Sequence, residues 1–265
     1  MALRKRAAQP KTLAPVHPNV GLQMAYQRKL ESMVDDMHAS LVYWLRAAYR
    51  ANTPELAQDQ SPAMALREAM RKLARRWQRN FDRGADDLAG WFAMAAADRS
   101  DRALKEILRK AGFSVTFTMS AEANDVMQAT IGDNVALIKS IGSQHLTQVE
   151  GLVMRSVTTG RDLGTLTKEL ENQFGVTRRR AAFISLDQNN KATASITRVR
   201  QRGLGITEAI WMHSNGGKVP RPEHKAFSGK RYDIEKGAFL EGVWTWPGVQ
   251  PRCRCVSRSV VPGFE

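Results

Sequence analysis

Cysteines and long apolar runs are scarce in this sequence, and each shortage excludes a class of protein. Only two of the 265 residues are cysteines, and both lie near the C-terminus, so they cannot join distant segments as a disulfide scaffold does. The longest apolar stretch, residues 88–97, is far shorter than the roughly 18 residues of a membrane-spanning helix. Pro10 and Lys11 stand where a signal peptide would place its apolar core. We therefore expect a protein made in the cytoplasm, with no membrane partner.

Acidic residues are also few relative to basic ones. Asp and Glu number 26 against 40 Lys and Arg, which gives a formal net charge of +14. A surplus of this size attracts polyanions, so we expect nucleic acid or an acidic assembly partner. A basic surface that only aids solubility is the alternative. The hydrophobic fraction of 43% and charged fraction of 25% are ordinary for a folded protein.

The distribution of apolar residues predicts an α+β fold in four parts. Residues 1–18, rich in Pro and basic residues, predict a flexible basic arm. Apolar residues spaced by three and four predict helices over 19–118 and, as a string of shorter helices, over 119–205. Gly, Pro and Trp become frequent in 206–265, which predicts a small, irregular β-rich module.

Two of the predicted helices carry clustered basic residues. One has an apolar stripe from Leu66 to Phe81, and we expect another to begin after a break at Gly175, with Thr177 as its N-cap. The candidate contacts to a polyanion on these helices are Arg71, Lys72, Arg75, Arg76, Arg79, Arg178, Arg179 and Arg180. Such a face can touch phosphates. It can equally be a solvated surface or meet an acidic neighbour.

Several short motifs follow one another toward the C-terminus. An Asp-Gln-x-x-Lys segment and a later Trp precede an Arg-Pro-x-His, a Gly-Lys, a Pro-Gly and a final Cys-Arg-Cys. The residues concerned are Asp187, Gln188, Lys191, Trp211, Arg221, Pro222, His224, Gly229, Pro247, Gly248, Cys253, Arg254 and Cys255. In this order they resemble the C-terminal half of the phage Mu F-like family of minor head proteins, over roughly residues 134–255.

That resemblance implies a function in the assembly of a virus particle. Members of this family act in the head morphogenesis of tailed bacteriophages. It implies a minor capsid protein in few copies, located in the virion on the inner side of the capsid. Its expected partners are portal, capsid or scaffold proteins, and packaged DNA held by non-specific electrostatics.

The two cysteines are candidate ligands for a structural zinc ion. At positions 253 and 255 of a strand, both thiols would project from the same face. The family pattern implies His224 as a third ligand, and His213 is a candidate for the fourth. Two thiolates and imidazole nitrogens make a tetrahedral zinc site. The alternative is two buried, reduced thiols that pack as small apolar groups, with His224 hydrogen-bonded to the backbone.

The arginines beside these residues suggest a structural clamp. Arg221 and Arg254 can hold backbone carbonyls or a carboxylate, with Asp187, Glu223 or Asp233 as the acid. We expect Trp211, Trp244 and Trp246 to form the core of the small module.

No motif indicates an enzyme. The sequence has no nucleophile-plus-base pair, phosphate-binding Gly loop or His-Glu-x-x-His pattern. We therefore expect a non-enzymatic protein. The alternatives are a metal-dependent, nuclease-like enzyme, a protein that binds DNA non-specifically, and a sequence-specific regulator, for which no recognition helix is evident.

Overall fold

A computed structural model describes residues 11–51, 62–159, 162–216 and 219–261. The chain divides into two compact units. The described parts of residues 1–23, 93–130 and 186–265 form unit 1, and those of 24–92 and 131–185 form unit 2. This division cuts across the boundaries predicted from sequence, because each of the four long helices contributes residues to both units.

The four long helices account for most of the structure. They are α1 (Val20–Ala51), α2 (Pro62–Lys110), α3 (Ala121–Thr158) and α4 (Leu163–Gly203). Helix α1 begins after Asn19, whose Oδ1 accepts the backbone N–H of Leu22 at 2.8 Å, as an N-cap residue does. Most of the apolar side chains that recur at spacings of three and four along α1 are buried, from Leu22 to Leu41, whereas Trp44, the last of the series, is 48% exposed.

Helices α3 and α4 are longer than the sequence predicts. The prediction of a string of shorter helices is wrong, because one helix covers 121–158 and a second runs through Gly175 without a break. Thr177 is not an N-cap: inside α4 its hydroxyl donates to the carbonyl of Gln173 at 3.0 Å. A glycine inside a helix costs only about 1 kcal/mol, which tertiary packing can offset. Gly160, the other predicted break, lies outside the described residues.

Apart from one short N-terminal strand, the β structure lies where the sequence predicts it. A four-stranded antiparallel sheet has the order β1-β6-β2-β3, and a two-stranded sheet pairs β4 with β5. The strands are β1 (Lys11–Thr12), β2 (Glu208–Met212), β3 (Arg231–Asp233), β4 (Ala238–Leu240), β5 (Val243–Thr245) and β6 (Val256–Val261), with the short helix α5 (Pro222–Ala226) between β2 and β3. The α+β fold class, with helices first and a small β-rich C-terminal part, is confirmed.

The predicted flexible arm is wrong for residues 11–16. Lys11 and Thr12 pair with the last two residues of β6, and the N–H of Leu13 donates to the carbonyl of Ser259 at 3.0 Å. Leu13 and Val16 are buried in the core of unit 1. Two apolar side chains and an open edge of β6 are enough to hold this segment in place. Residues 1–10 of the arm lie outside the described residues.

The core of unit 1 surrounds Trp211, which is fully buried. Apolar residues from α2 and from the β strands pack with it. Of the expected tryptophan core, Trp246 is only partly buried and Trp244, 60% exposed, lies at the surface. No helix among the described residues is both long and apolar enough to cross a membrane.

Candidate metal centre

His224 is placed by the short helix α5. Pro222 begins the helix, where its missing N–H would have no helical partner in any case. This puts His224 in the first turn, 1% exposed, with its ring edge-on to Trp211 at a centroid distance of 5.0 Å and an angle of 80°. Ring packing therefore sets the orientation of the imidazole. Its Nε2 has no hydrogen-bond partner within the described part of the chain.

The two cysteines follow a tight turn that is held by α4. At the turn Arg252 has a φ of 63°, in the left-handed region that favours glycine. Oδ1 of Asp187 accepts the backbone N–H of Arg252 at 2.7 Å, and Nδ2 of Asn190 donates to the carbonyl of Cys253 at 3.1 Å. Lys191 completes the group through an ion pair with Asp187 at 2.9 Å. The Asp-Gln-x-x-Lys segment thus fastens the cysteine loop to α4.

Gly248 allows the same loop to approach α4 closely. It has a φ of 84°, and a Cβ there would lie 3.1 Å from Cβ of Ala194 and 3.1 Å from the carbonyl oxygen of Cys255. Its backbone N–H donates to Sγ of Cys253 at 3.4 Å. Only glycine satisfies both the conformation and the contact, which accounts for the Pro-Gly motif.

Three ligand atoms meet in this loop. Nδ1 of His224 lies 3.5 Å from Sγ of Cys253 and 3.8 Å from Sγ of Cys255, and the three atoms all lie within 4.8 Å of one another. Cys253 and Cys255 are 4% and 5% exposed, and neither forms a disulfide. The sequence prediction that these three side chains converge agrees with the structure, although the cysteines precede β6 and are not part of it.

The two thiols perturb each other. The Cys255 thiol donates to Cys253, which lowers the pKa of Cys253 to about 5. The same hydrogen bond, together with burial, raises the pKa of Cys255. The pair therefore favours a thiolate beside a retained thiol, and the imidazole next to Cys253 also favours that negative charge.

A pocket of about 270 Å³ opens beside the three residues. His224, Cys253 and Cys255 form part of its wall, and Arg221, Arg252 and Arg254 form another part. Among the described residues, no Asp or Glu lines it. The pocket is therefore bordered by positive charge and by potential metal ligands, without a carboxylate.

His213 does not join the other three residues. It lines the same pocket, but its Nδ1 accepts the backbone N–H of Asn215 at 3.1 Å and is not part of the ligand cluster. The turn after β2 positions this ring toward its own backbone. The predicted fourth ligand is thus not supplied by His213 in this structure.

The arginine clamp exists, with a different acid from those proposed. Arg221 pairs with the carboxylate of Glu241 and donates to the carbonyl of Pro251 at 3.2 Å. Arg254 donates to the carbonyl of Gly216 at 2.9 Å. Glu223 instead accepts the backbone N–H of Glu241.

The remaining predicted residues have structural positions in the same module. Asp233 accepts two backbone N–H groups in its own turn, at 2.7 and 2.9 Å. Gly229, with a φ of 84°, donates its N–H to the carbonyl of Trp211 at 2.8 Å. Gln188 is 3% exposed, on the helix that carries Asp187.

The basic residues predicted to contact a polyanion fall into two groups, all of them in unit 2. The members on α2 are exposed: Arg71, Lys72, Arg75, Arg76 and Arg79. Lys72 and Arg75 lie near Glu68, at 4.0 and 3.6 Å.

The group on α4 is largely engaged within the protein, which corrects the prediction. Arg178 pairs with Asp35 at 2.6 Å and with Glu31 at 2.7 Å, and Arg180 donates to Ser140 at 2.9 Å. Arg179 alone of the three is exposed. The sequence alone does not show that neighbouring helices supply acidic partners to Arg178 and a hydroxyl partner to Arg180.

Sequence reasoning missed Asn190, Glu241 and the turn at Arg252. Asn190 carried one available signal, since it lies three residues after Asp187 and therefore on the same helix face. Glu241 and Arg252 carried none, because their roles depend on contacts between segments distant in sequence.

Comparisons with known proteins agree with the motifs. Residues 147–258 match the family model described as "Phage Mu protein F like protein". An uncharacterized protein of Haemophilus influenzae is 24% identical over 269 residues, an alignment that covers 99% of this chain and 58% of the relative. The chain thus spans little more than half the length of this curated relative. No solved structure matches the chain.

Proposed function

We propose that this chain is a head morphogenesis protein of a tailed bacteriophage, because residues 147–258 match the phage Mu protein F-like family model, as the motifs predict. It is a minor component of the virion that contacts other head proteins, near the portal and the packaged DNA. One observation carries the proposal: the matched region contains the whole motif set, and the motif residues form one connected module.

A basic surface on α2 supports contact with a polyanion. We define the α2 basic surface as Arg67, Arg71, Lys72, Arg75, Arg76, Arg79 and Arg83, all of them exposed. Among the described residues, Arg71, Arg76 and Arg79 have no carboxylate within ion-pair distance. Such a surface binds DNA phosphates, or an acidic face of a portal or scaffold protein, by releasing counterions and without sequence preference.

The proposed role is non-enzymatic. The part of the chain that the structure describes contributes no Asp or Glu to the pocket beside His224, so no described carboxylate lies there to act as a general base. A plasmid-nicking assay with added Zn²⁺ or Mg²⁺ tests this proposal, with His224→Ala as the control. Nicking by the wild-type protein that His224→Ala abolishes would replace the proposal with a nuclease function.

The head assignment is tested in the phage that encodes the chain. We expect mass spectrometry of gradient-purified particles to detect the protein at a few copies per head. An amber mutation in its gene should lower the yield of filled heads, and supply of the protein in trans should restore it. Normal particles that lack the protein, formed at wild-type yield, would contradict the assignment.

The polyanion contact is tested with two variants of equal charge. The triple variant Arg71→Gln/Arg76→Gln/Arg79→Gln removes three charges from the α2 basic surface. The control, Lys225→Gln/Lys230→Gln/Lys236→Gln, removes three exposed charges from unit 1. If all three arginines contact phosphates, the slope of log Kobs against log salt should become less steep by about 2 to 3 in the first variant and change little in the second. Equal effects of the two variants would refute a localised contact.

A further inference from the structure

The nitrogen–sulfur distances of the three-residue cluster match those of a tetrahedral zinc site. Zinc bonds of about 2.3 Å to sulfur and 2.0–2.1 Å to nitrogen, at tetrahedral angles, separate nitrogen from sulfur by about 3.6 Å. The distances from Nδ1 of His224 to the two Sγ atoms are 3.5 and 3.8 Å. The protein therefore holds the imidazole nitrogen at nearly the distance from each sulfur that zinc would impose.

The surroundings of the three atoms also suit a metal ion. All three residues are at least 95% buried, at 1%, 4% and 5% exposure, so two thiolates here would need a compensating positive charge. The N–H of Gly248 points at Sγ of Cys253, a contact that stabilises a coordinated thiolate. A reduced thiol pair that packs as apolar groups has no need of an imidazole nitrogen at this distance.

We propose that Nδ1 of His224 and Sγ of Cys253 and Cys255 bind one zinc ion whose fourth coordination position opens to the neighbouring pocket. Among the described residues no fourth His, Cys, Asp or Glu belongs to the cluster. The fourth position therefore takes water or a small anion from the pocket, where Arg221, Arg252 and Arg254 line the wall. This differs from a closed structural site, in which the protein supplies all four ligands.

Zinc here would join segments that the chain otherwise holds by a few hydrogen bonds. It would link α5 to the cysteine loop, which Asp187 and Asn190 already fasten to α4. Because metal binding free energy becomes folding free energy, removal of the ion should weaken this module most.

Metal content gives the first test. We expect the full-length protein, purified under reducing conditions from zinc-supplemented cells, to contain close to one zinc per chain by mass spectrometry of the elements. His224→Asn, Cys253→Ser and Cys255→Ser should each lose most of it, while His213→Gln should keep it. Wild-type protein without metal, both as purified and after equilibration with Zn²⁺, would overturn the proposal.

Cobalt provides a test that does not depend on the stability of the variants. Co²⁺ bound to the wild-type protein should show thiolate-to-metal charge transfer and the intense visible bands of four-coordinate cobalt. Azide, used as the small anion, should change the visible bands with a saturable dependence on concentration. A spectrum that azide leaves unchanged would refute the open position and indicate a closed site.

Discussion

Asp187 offers the sharpest test of how the metal-site loop is held. It is 6% exposed, its Oδ1 accepts the N–H of Arg252 at 2.7 Å, and its carboxylate pairs with Lys191 at 2.9 Å. Asp187→Ala removes both contacts. Asp187→Asn keeps an acceptor oxygen and removes the charge, and Lys191→Ala removes the ion pair alone. The three variants separate the hydrogen bond from the charge.

The expected magnitudes follow from these contacts. A hydrogen bond to a charged group contributes about 1.5–3 kcal/mol to the free energy of unfolding. The ion pair contributes less than about 1 kcal/mol, because Lys191 is 29% exposed and solvent screens it. We therefore expect losses of about 2–3 kcal/mol for Asp187→Ala, about 1 kcal/mol for Asp187→Asn and under 1 kcal/mol for Lys191→Ala.

Two measurements check this order. Denaturant unfolding gives the free energies, and hydrogen exchange followed on the peptide that contains Arg252 reports the turn itself. Exchange there should rise most in Asp187→Ala and least in Lys191→Ala. Equal losses in Lys191→Ala and Asp187→Ala, with no change in exchange at the turn, would show that Asp187 acts only through its charge.

Two further predictions concern unit 2. Gly142→Ala should destabilise the protein by about 1–3 kcal/mol in urea unfolding, because the new Cβ would lie 2.7 Å from the Phe81 ring and overpacking is costly. The control is Gly132→Ala, where the new Cβ would meet open space on the same helix. This variant should stabilise the protein by up to about 1 kcal/mol. A higher free energy of unfolding in both variants would contradict the close packing at Gly142. Burial, with the neighbouring His38, lowers the pKa of His145 from 6.5 to about 4, so the unfolded chain binds a proton at a higher pH than the folded one. Above pH 6.5 the effect of His145 on the free energy of unfolding should not change with pH. From pH 6.5 down to about pH 4 His145 should destabilise the protein progressively, by up to about 3 kcal/mol relative to His145→Gln. Parallel pH profiles of the two proteins would refute the prediction.

The helices show which features of the fold the sequence pattern can predict. The apolar spacing from Leu22 to Trp44 predicts α1 because periodicity acts within one element, and the structure adds Asn19 as the capping residue. The continuity of α4 could not be predicted, since Gly175 is a local signal for an end and only packing overrides it. Trp44 itself is 48% exposed, so the last member of a periodic stripe need not be buried.

In the candidate site, too, some residues could be predicted from the sequence and others could not. His224, Cys253 and Cys255 could be predicted to converge because their residue types have few other uses in such a pattern. The partner of Arg221 could not, since Glu241 is one of many surface acids until the fold brings it near. Arg178 failed for the same reason, because its partners Glu31 and Asp35 lie on a helix more than a hundred residues away.

The charged motif residues are mostly engaged by other residues of their own module, and this bears on how partners are recognised. Asp187 bonds the Arg252 turn, Arg221 pairs with Glu241, and Arg254 holds a backbone carbonyl. Charged groups satisfied inside the module have little left to offer a second protein. Under the proposed function, contacts with partner proteins would therefore come mainly from residues outside the motifs, such as the α2 basic surface. Two proteins that share this module could then bind different partners.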